Sequence, residues 1–341
     1  MGNDQRCIPS GCFFLLLRNI SQSISNIRVF RQIMEFPVLF LGALPEETPA
    51  LYSLMNYADI KGGTWYPQGG MYSVVKSMQQ LAEGLGVQFR FNEEVAEIVV
   101  EDGKAVAVVT TQGRYTTDAV ISGADYHFTE TALLPPEYRT YSDQYWNKRV
   151  MAPSCLLYYV GLNKKLKNLC HHSLFFDVSF EQHGHEIYRD PQWPSNPLFY
   201  VSAASLTDES VAPTGCENLV FLVPVASGLQ GDTESLREEW FQKIVERFEQ
   251  HTGEEIKDAI VVKRTYSVTD FVNDYHSFRG NAYGLANTLR QTAILRPSCK
   301  SKKVSNLYYT GQLTVPGPGV PPSLISGEVV AGELIKTGIA R

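Results

Sequence analysis

A run of glycine and proline residues near the C-terminus is the part of this sequence best suited to bind a flat ligand. Residues 306–310 have the composition of a strand, residues 311–322 read GQLTVPGPGVPP, and a helix is predicted to begin at Ser323. Glycine lets the backbone approach a ligand closely, and a helix start carries about half a positive charge. A strand, a Gly/Pro loop and a helix start in this order favour a site for a flat, partly anionic molecule.

Flavin chemistry would make use of such a site. A flavin that has accepted a hydride at N5 holds negative charge near N1 and O2, and a helix start aimed at those atoms would stabilise it. The alternative is an ordinary surface turn, because loops of glycine and proline are common. The motif alone leaves both interpretations open.

The elements that position this loop are predicted from the chain between residues 68 and 125. Gly69-Gly70 opens a helix whose apolar residues recur at three- and four-residue spacing. Asp102-Gly103 suits a tight hairpin turn between two strands. The predicted strands are residues 87–91, 95–100, 105–111 and 119–122, the last of which leads into Gly123-Ala124-Asp125.

Further strands are predicted in the middle of the chain. Residues 156–161, 219–225 and 260–266 are rich in Val, Leu, Tyr and Phe, which is typical of strands. Ser235 and Glu238 have the spacing of a capping box, so a helix is predicted to start there. Helices and strands are therefore mixed throughout the chain.

Composition and charge exclude several classes of function. The 341 residues carry a net charge of −6, whereas a protein that binds nucleic acid normally has a basic face, so no nucleic-acid partner is expected. The six cysteines show no C-x-x-C spacing, which indicates reduced thiols in a cytosolic protein. His171-His172 and His183-x-His185 lack partners at ligand spacing, so no metal site is expected. No apolar stretch reaches the roughly 20 residues of a membrane-spanning helix.

Four blocks of sequence, taken in order, resemble the bacterial-type phytoene desaturases, FAD-dependent carotenoid desaturases of the flavin amine oxidase superfamily. The C-terminal block, residues 307–327, is similar to the family's flavin-binding signature. The other blocks are residues 34–42 (MEFPVLFLG), residues 64–71 (TWYPQGGM), and residues 280–285 (GNAYGL) with Gln291-Thr292. The similarity extends from about residue 27 to residue 335.

The resemblance implies an α/β (α+β) fold in which a partial FAD-binding, Rossmann-like domain is interleaved with a substrate domain. The flavin domain would comprise residues 66–130 and 301–341. The substrate domain, with a mixed or antiparallel sheet and helices, would comprise residues 131–300 and a helical part, residues 28–65. Residues 1–27 have no assignment.

One motif of the family is missing from the sequence. The family begins with a strand, a G-x-G-x-x-G loop and a helix that hold the FAD pyrophosphate. No G-x-G-x-x-G occurs here, and Gly317-Pro-Gly319 is the nearest pattern. We therefore expect the chain to be N-terminally truncated relative to the family, and to bind FAD weakly or not at all.

The resemblance also implies roles for individual residues. Val95 would lie on the strand beside the adenine, and Asp125 at the end of a flavin-domain strand. Arg31 lies in an Arg-Gln pair similar to one near the family's active site and is the candidate catalytic residue; an ordinary surface arginine is the alternative. The residues expected in the substrate tunnel are Trp65, Tyr66, Tyr283 and Leu285. Those that match the C-terminal cofactor motif are Gly311, Thr314, Pro316, Gly317, Val320, Pro321, Ile325 and Ser326.

The activity that the resemblance implies is desaturation of phytoene, a C40 polyene, to more unsaturated carotenes. A hydride would pass to flavin N5 and a proton would leave the neighbouring carbon, with no nicotinamide involved. A carotenoid isomerase, a later-pathway carotenoid desaturase and a retinol saturase of the same superfamily stay open, as does a non-catalytic remnant. Because the polyene dissolves in the bilayer, we expect a cytoplasmic protein that associates peripherally with the membrane surface. The sequence makes no prediction of oligomeric state.

Overall fold

The computed structural model describes residue 19, residues 27–37 and residues 42–339. The N-terminal segment without assignment, apart from residues 19 and 27, lies outside the described residues, as do residues 38–41 of the first sequence block. Within the described part of the chain, no helix is long and apolar enough to cross a lipid bilayer.

The strands of the described residues form three separate sheets. Their bounds are β1 (Val95–Glu101), β2 (Lys104–Thr110), β3 (Arg114–Thr116), β4 (Val120–Ser122), β5 (Ser154–Leu162), β6 (His172–Phe175), β7 (Phe199–Ser202), β8 (Glu217–Val225), β9 (Ile260–Tyr266) and β10 (Leu307–Tyr309). A three-stranded antiparallel sheet has the order β1-β2-β3, a parallel pair joins β10 to β4, and a five-stranded antiparallel sheet has the order β6-β7-β8-β5-β9.

The α-helices alternate with these strands along the chain. Their bounds are α1 (Arg28–Glu35), α2 (Leu54–Tyr57), α3 (Met71–Gly84), α4 (Tyr126–Ala132), α5 (Asp143–Asn147), α6 (Phe180–Tyr188), α7 (Glu234–Thr252), α8 (Val268–Tyr275) and α9 (Val320–Lys336). The expected mixture of helices with parallel and antiparallel sheets is confirmed.

The parallel pair brings together two distant parts of the sequence. Leu307 of β10 lies opposite Val120 of β4, and the two strands run in register to their carboxyl ends. On one face, Val330 and Leu334 of α9 pack against Tyr308. The predicted strands 119–122 and 306–310 are therefore neighbours. The domain boundaries drawn around them stay a prediction.

The five-stranded sheet is built on the alternation of its residues. Leu156, Tyr158 and Val160 of β5 point to one face, where α7 covers them with apolar side chains. On the other face Leu157 is half-buried and Tyr159 is exposed, whereas Cys155 is buried. A sheet with one covered face and one open face is common among antiparallel sheets.

Three expectations about local structure are wrong. Residues 87–91 form no strand, and their exposed Val87 and Phe91 have no described strand beside them. Helix α7 begins at Glu234, because the Thr233 side chain accepts the Leu236 N–H at 3.2 Å and takes the capping role expected of Ser235. Helix α9 begins at Val320 rather than Ser323, since prolines fit the first helical turn, where N–H groups need no intrahelical partner.

Candidate functional site

A cleft of about 510 Å³ lies at the carboxyl ends of β4 and β10. Ligands of open α/β sheets bind at this end of parallel strands, where loops leave the sheet and backbone groups are exposed. The residues that line the cleft are Gly123, Ala124, Asp125, Tyr126, Phe271, Tyr275, Ser277, Asn281, Ala282, Thr310, Gly311, Gln312, Leu313 and Ser323.

Ser326 fixes the segment that follows β10 and forms one wall of the cleft. The Gly311 N–H donates to the Ser326 hydroxyl at 2.9 Å, and that hydroxyl donates to the Ser323 carbonyl at 2.6 Å. Ser326 is fully buried, so the serine fixes the loop to α9 without reaching into the cleft. Gly311 has a φ of +100°, a conformation that favours glycine.

The wall formed after β4 is organised by Asp125. Its Oδ1 accepts the Phe128 N–H at 3.0 Å and caps α4, and its Oδ2 accepts the Phe278 N–H at 2.9 Å. Burial raises the pKa of the Asp125 carboxyl, while these backbone N–H groups act in the opposite direction. With both oxygens engaged, Asp125 ties the end of β4 to the segment after α8.

Gln312 and Asn281 close the far side of the cleft. The Gln312 side-chain amide donates to Asn281 Oδ1 at 3.3 Å, and the same oxygen accepts the Gly284 N–H at 2.6 Å. A Cβ at Gly284 would lie 2.7 Å from the Gln312 carbonyl oxygen, so only glycine permits this approach. The polar residues of the cleft are thus connected to the turn at Gly284.

Arg296 links the segment at Gln312 to the segment that follows Gly284. Its Nη1 donates to the Gln312 carbonyl at 3.2 Å and its Nη2 to the Leu285 carbonyl at 2.8 Å, with a further hydrogen bond to Asn287 Oδ1. Only 4% of the residue is exposed, and no ion pair with a carboxylate is found for it among the described residues. Burial lowers the pKa of this guanidinium to about 10. The sequence alone did not identify Arg296, because no motif or spacing pattern connects this residue with the glycine loop.

Comparison with known families decides the classification. A family model described as flavin containing amine oxidoreductase matches residues 16–335. The chain belongs to this family.

Relatives in the family include carotenoid enzymes. Over 307 residues the chain is 42% identical to a carotenoid 3,4-desaturase from Haloarcula japonica, which covers 90% of this chain and 62% of the relative. It is 30% identical to a zeta-carotene-forming phytoene desaturase from Myxococcus xanthus, over 89% of this chain and 59% of the relative. The chain thus spans about three-fifths of the length of these relatives.

Solved structures share the fold at low sequence identity. An oxidoreductase from Methanosarcina mazei superposes with a TM-score of 0.59 at 15% identity, over 92% of this chain and 67% of that one. A redesigned putrescine oxidase superposes with a TM-score of 0.60 at 13% identity, over 96% of this chain and 68% of that one.

The cleft fits the ring system of the family's flavin. No heavy atom lies within 4 Å of the place that a Cβ would take at Gly311, so its backbone faces open space. The nearest atom to the same place at Gly123 is the Thr310 hydroxyl oxygen, at 3.7 Å. Gly123 and Gly311, which follow the adjacent strands β4 and β10, therefore present backbone without side chains at the same edge of the sheet. Such a surface suits a flat ring. The sequence offers no G-x-G-x-x-G loop for a pyrophosphate.

The remaining residues of the expected cofactor motif surround this cleft without lining it. The buried Thr314 hydroxyl donates to the Pro297 carbonyl at 2.7 Å, and Gly317 packs against Arg296. Val95 starts β1 and packs on the core beneath the parallel pair. Exposed positions in the loop and the first turns of α9 are Pro316, Val320, Pro321 and Ile325.

The residues expected in the substrate tunnel are not brought together at the cleft. Trp65 is 90% exposed, whereas the ring of Tyr66 packs edge-on against His171 at 4.6 Å. Leu285 is buried in the core, and burial raises the pKa of the Tyr283 hydroxyl. Arg31, on α1, is also absent from the lining of the cleft among the described residues. Their roles stay predictions.

A row of side chains leads away from the cleft across the open face of the five-stranded sheet. The strand registers place one residue of each strand side by side in this row, which spans about 19 Å for four gaps of about 4.8 Å. Tyr266 packs against Phe271 at 4.9 Å, and Phe271 lines the cleft. At the far end is a small apolar pocket that includes Phe36. The row is Leu174, Tyr200, Leu222, Leu157 and Tyr266.

Proposed function

We propose that the protein is an FAD-dependent enzyme that desaturates a C40 carotenoid in carotenoid biosynthesis. The observation that carries this proposal is the 42% identity to a carotenoid 3,4-desaturase over most of the chain. We propose phytoene as the substrate, as the four sequence blocks imply. Desaturation later in the pathway is the second candidate, favoured because the identity to the 3,4-desaturase exceeds the 30% found for phytoene desaturases.

The cofactor would be held with its ring in the cleft. Bound FAD would supply an acceptor for a hydride from the saturated carbon. The backbone of Gly123 and Gly311 would contact the ring, with Ser326 and Thr314 fixing the loop from behind. The first turn of α9 has no side-chain cap, but Pro321 and Pro322 carry no N–H group and the Ser323 N–H donates to the Gly319 carbonyl at 3.0 Å, so any attraction for negative charge there would rest on the helix dipole.

Asp125 would act as a structural group rather than as a base. Both of its oxygens already accept backbone N–H groups, and release of either would uncap α4 or free the segment at Phe278. Chemistry supplied by the cofactor agrees with this, since a hydride acceptor needs the protein mainly for position and exclusion of water.

The polyene would lie along the row from Tyr266 to Leu174. A hydrocarbon offers no polar handle, so its binding free energy must come from buried apolar area, about 25 cal/mol per Å². The row is apolar over most of its length and starts beside Phe271, which lines the cleft. One end of a long polyene could therefore rest on the sheet while the reacting bond lies at the flavin.

Expression in carotenoid-producing bacteria tests the proposal. The chain is supplied together with the portion of the Haloarcula japonica relative that it does not cover, in cells that accumulate either phytoene or lycopene. More unsaturated pigments in the phytoene cells support the main proposal. A change confined to the lycopene cells supports the later-pathway candidate. If flavin is bound and no double bond is gained in either strain, desaturation is wrong, and altered cis/trans ratios would indicate an isomerase.

A further inference from the structure

We infer that Arg296 is a positioning residue that raises the reduction potential of a flavin ring in the cleft, because it holds a positive charge behind the cleft wall. The presence of the ring in the cleft rests on the proposed function. The role of Arg296 goes beyond it, since it concerns the charge of the guanidinium and not only the hydrogen bonds that fix the loop.

The side chain of Arg296 is a buried cation with no anion beside it. Its Nη groups donate to three neutral oxygens, the carbonyls of Gln312 and Leu285 and the side-chain oxygen of Asn287. Its buried Nε has no hydrogen-bond partner in the described part of the chain, and no ion pair with a carboxylate forms there. The pKa of about 10 leaves the group charged at neutral pH. A buried charge without a counter-charge is unfavourable, so the site is suited to a transient anion.

The guanidinium lies directly behind the wall of the cleft. Its Nη1 is 3.2 Å from the carbonyl oxygen of Gln312, a residue that lines the cleft. Its Nε and Cζ lie against Gly317, in the loop that continues from that wall. One peptide layer therefore separates the charge from the space that a ring would occupy, and water, which would screen the charge, is excluded from between them.

Other sources of positive charge at the cleft are weak. Among the described residues that line it there is no lysine, arginine or histidine. The first turn of α9 contains Pro321 and Pro322, which have no N–H to offer an anion. His276 follows a lining residue in the chain, but it is exposed and lies 3.7 Å from Glu94, so solvent and a carboxylate weaken its field. The buried guanidinium is the stronger influence.

The proposed reaction places a negative charge in the cleft. A hydride from the substrate brings two electrons and one proton to the neutral oxidised ring, which leaves the reduced ring with one negative charge. Arg296 therefore stabilises the reduced ring more than the oxidised one. A charge that is already in place favours hydride acceptance without any rearrangement. The ratio of the two affinities and the reduction potential express the same preference, so the potential measures it.

Asn287→Asp tests the charge while keeping the shape. Asn287 is buried and its Oδ1 accepts from Arg296, so an aspartate keeps this hydrogen bond and adds the missing counter-charge. The chain, completed with the portion of the Haloarcula japonica relative that it does not cover, is loaded with FAD and reduced with dithionite against reference dyes. We expect reduced FAD to bind at least about tenfold more weakly relative to oxidised FAD, which is a potential about 30 mV more negative.

Two further variants separate charge from structure. Asn163→Asp makes the same chemical change at an exposed position outside the lining of the cleft, and it should leave the potential unchanged. Arg296→Gln removes the positive charge and should shift the potential in the same direction as Asn287→Asp. A folded Asn287→Asp protein with an unchanged potential would overturn the inference, because any effect of Arg296→Gln would then come from lost hydrogen bonds. If Asn287→Asp does not fold, an unchanged potential in Arg296→Gln overturns it.

The same measurement separates this role from the proposed function. FAD bound with a potential that none of these substitutions shifts would remove the role of Arg296 and leave the cofactor in place. A completed protein that binds no FAD would remove the flavin proposal and the role of Arg296 with it. Because the potential is measured without a carotenoid, a shift in Asn287→Asp supports the role of Arg296 even in a protein that desaturates neither phytoene nor lycopene.

Discussion

The guanidinium of Arg296 lies against the backbone of Gly317. Its Cζ and Nε atoms are 3.1 Å from the place that a Cβ would take at Gly317, closer than side chains normally approach. The same guanidinium donates to the carbonyls of Gln312 and Leu285. One buried side chain therefore holds the glycine loop, the cleft wall and the turn at Gly284 in a fixed arrangement.

Gly317→Ala should destabilise the protein by more than its backbone conformation alone requires. At a φ of +133° any side chain is strained, and here the methyl group would also press on Arg296, which is too firmly bonded to move away. We expect a loss of about 2–4 kcal/mol in the free energy of unfolding, measured by urea denaturation.

Gly215→Ala is the control for the Gly317 substitution. Gly215 has a φ of +81° and no heavy atom within 4 Å of its Cβ position, so it reports the backbone strain without the contact. If both variants lose the same stability, the contact with Arg296 contributes nothing.

The stability of the fold should fall between pH 6.5 and pH 4 because of His183. Burial lowers the pKa of this imidazole to about 4. Its Nε2 donates to the Pro224 carbonyl at 2.9 Å and its Nδ1 accepts the Leu198 N–H at 3.1 Å, which requires the neutral ring. The unfolded chain binds this proton first, so acidification through this window costs up to about 3 kcal/mol.

His183→Gln isolates that effect in urea denaturation at a series of pH values. Glutamine does not titrate, so the variant should be less stable at pH 7 yet lose less stability than the unsubstituted protein on acidification. An unchanged slope against pH would assign the acid sensitivity to other groups. The histidine that the sequence offered as half of a His-x-His pair is then a buried structural group.

Regular patterns in the sequence predicted much of the fold. The apolar spacing after Gly70 gave α3, and the composition of residues 260–266 matched β9 in full. The short strands β3 and β6 were not predicted, because three or four residues are too few to show a periodic pattern. These strands form because a neighbouring strand pairs with each of them. At the start of helix α8 the Asp270 carboxylate accepts the Ser267 N–H at 2.8 Å, and the Ser-x-x-Asp spacing that indicates this contact was present in the sequence and overlooked.

The candidate site was predictable where the backbone defines it. Glycines after a strand pointed to the loop at Gly311, and Asp125 followed the other strand of the parallel pair. The partners of these residues were not predictable, since Arg296 and Asn281 meet Gln312 only in the folded chain and no spacing pattern connects them with it. Trp65 is aromatic and lies at the surface, so its place in a substrate tunnel stays a prediction.

A carboxylate on the open face of the five-stranded sheet should prevent use of the carotenoid. Leu222 lies in the middle of the row and is half-buried, so Leu222→Asp would expose the polyene to a charge that cannot be desolvated cheaply. We expect at least about a tenfold loss of desaturated product in carotenoid-producing cells, with the protein still folded. Val261→Asp, at an exposed position outside the row, should leave the product unchanged; equal losses would remove the sheet face from the substrate path.

Helix α3 should contribute to contact with membranes. It has no buried residue, and Val75, Met78 and Leu81 are 54%, 50% and 67% exposed at helical spacing. An amphipathic helix of this kind lies in the bilayer interface with its apolar side facing the acyl chains. We expect the protein to float with liposomes and Leu81→Glu to reduce that fraction severalfold, whereas Ile294→Glu, at a 92% exposed site elsewhere, should not. Recovery of all protein in the unbound fraction would contradict the proposed association.

The chain alone should bind FAD weakly, and binding should become tight when the portion of the Haloarcula japonica protein that it does not cover is added. The cleft can hold the ring, but the sequence has no G-x-G-x-x-G loop to bind the pyrophosphate. Charge-assisted contacts to a pyrophosphate contribute a few kcal/mol together, and their loss lowers the affinity by orders of magnitude. Titration with FAD, followed by flavin fluorescence, measures both states. Purification of the chain by itself as a yellow protein with stoichiometric flavin would show this expectation to be wrong.

Gly311→Val tests in the same titration whether the ring occupies this cleft. The Cβ position of Gly311 faces open space, so the branched side chain would occupy volume that the ring needs, and affinity in the completed protein should fall by at least about tenfold. Gly215→Val, also at a positive φ (+81°, against +100° at Gly311), with equally open surroundings and outside the lining of the cleft, separates this loss from general destabilisation. If the two variants bind FAD equally well, the flavin lies elsewhere, even if the protein is a desaturase.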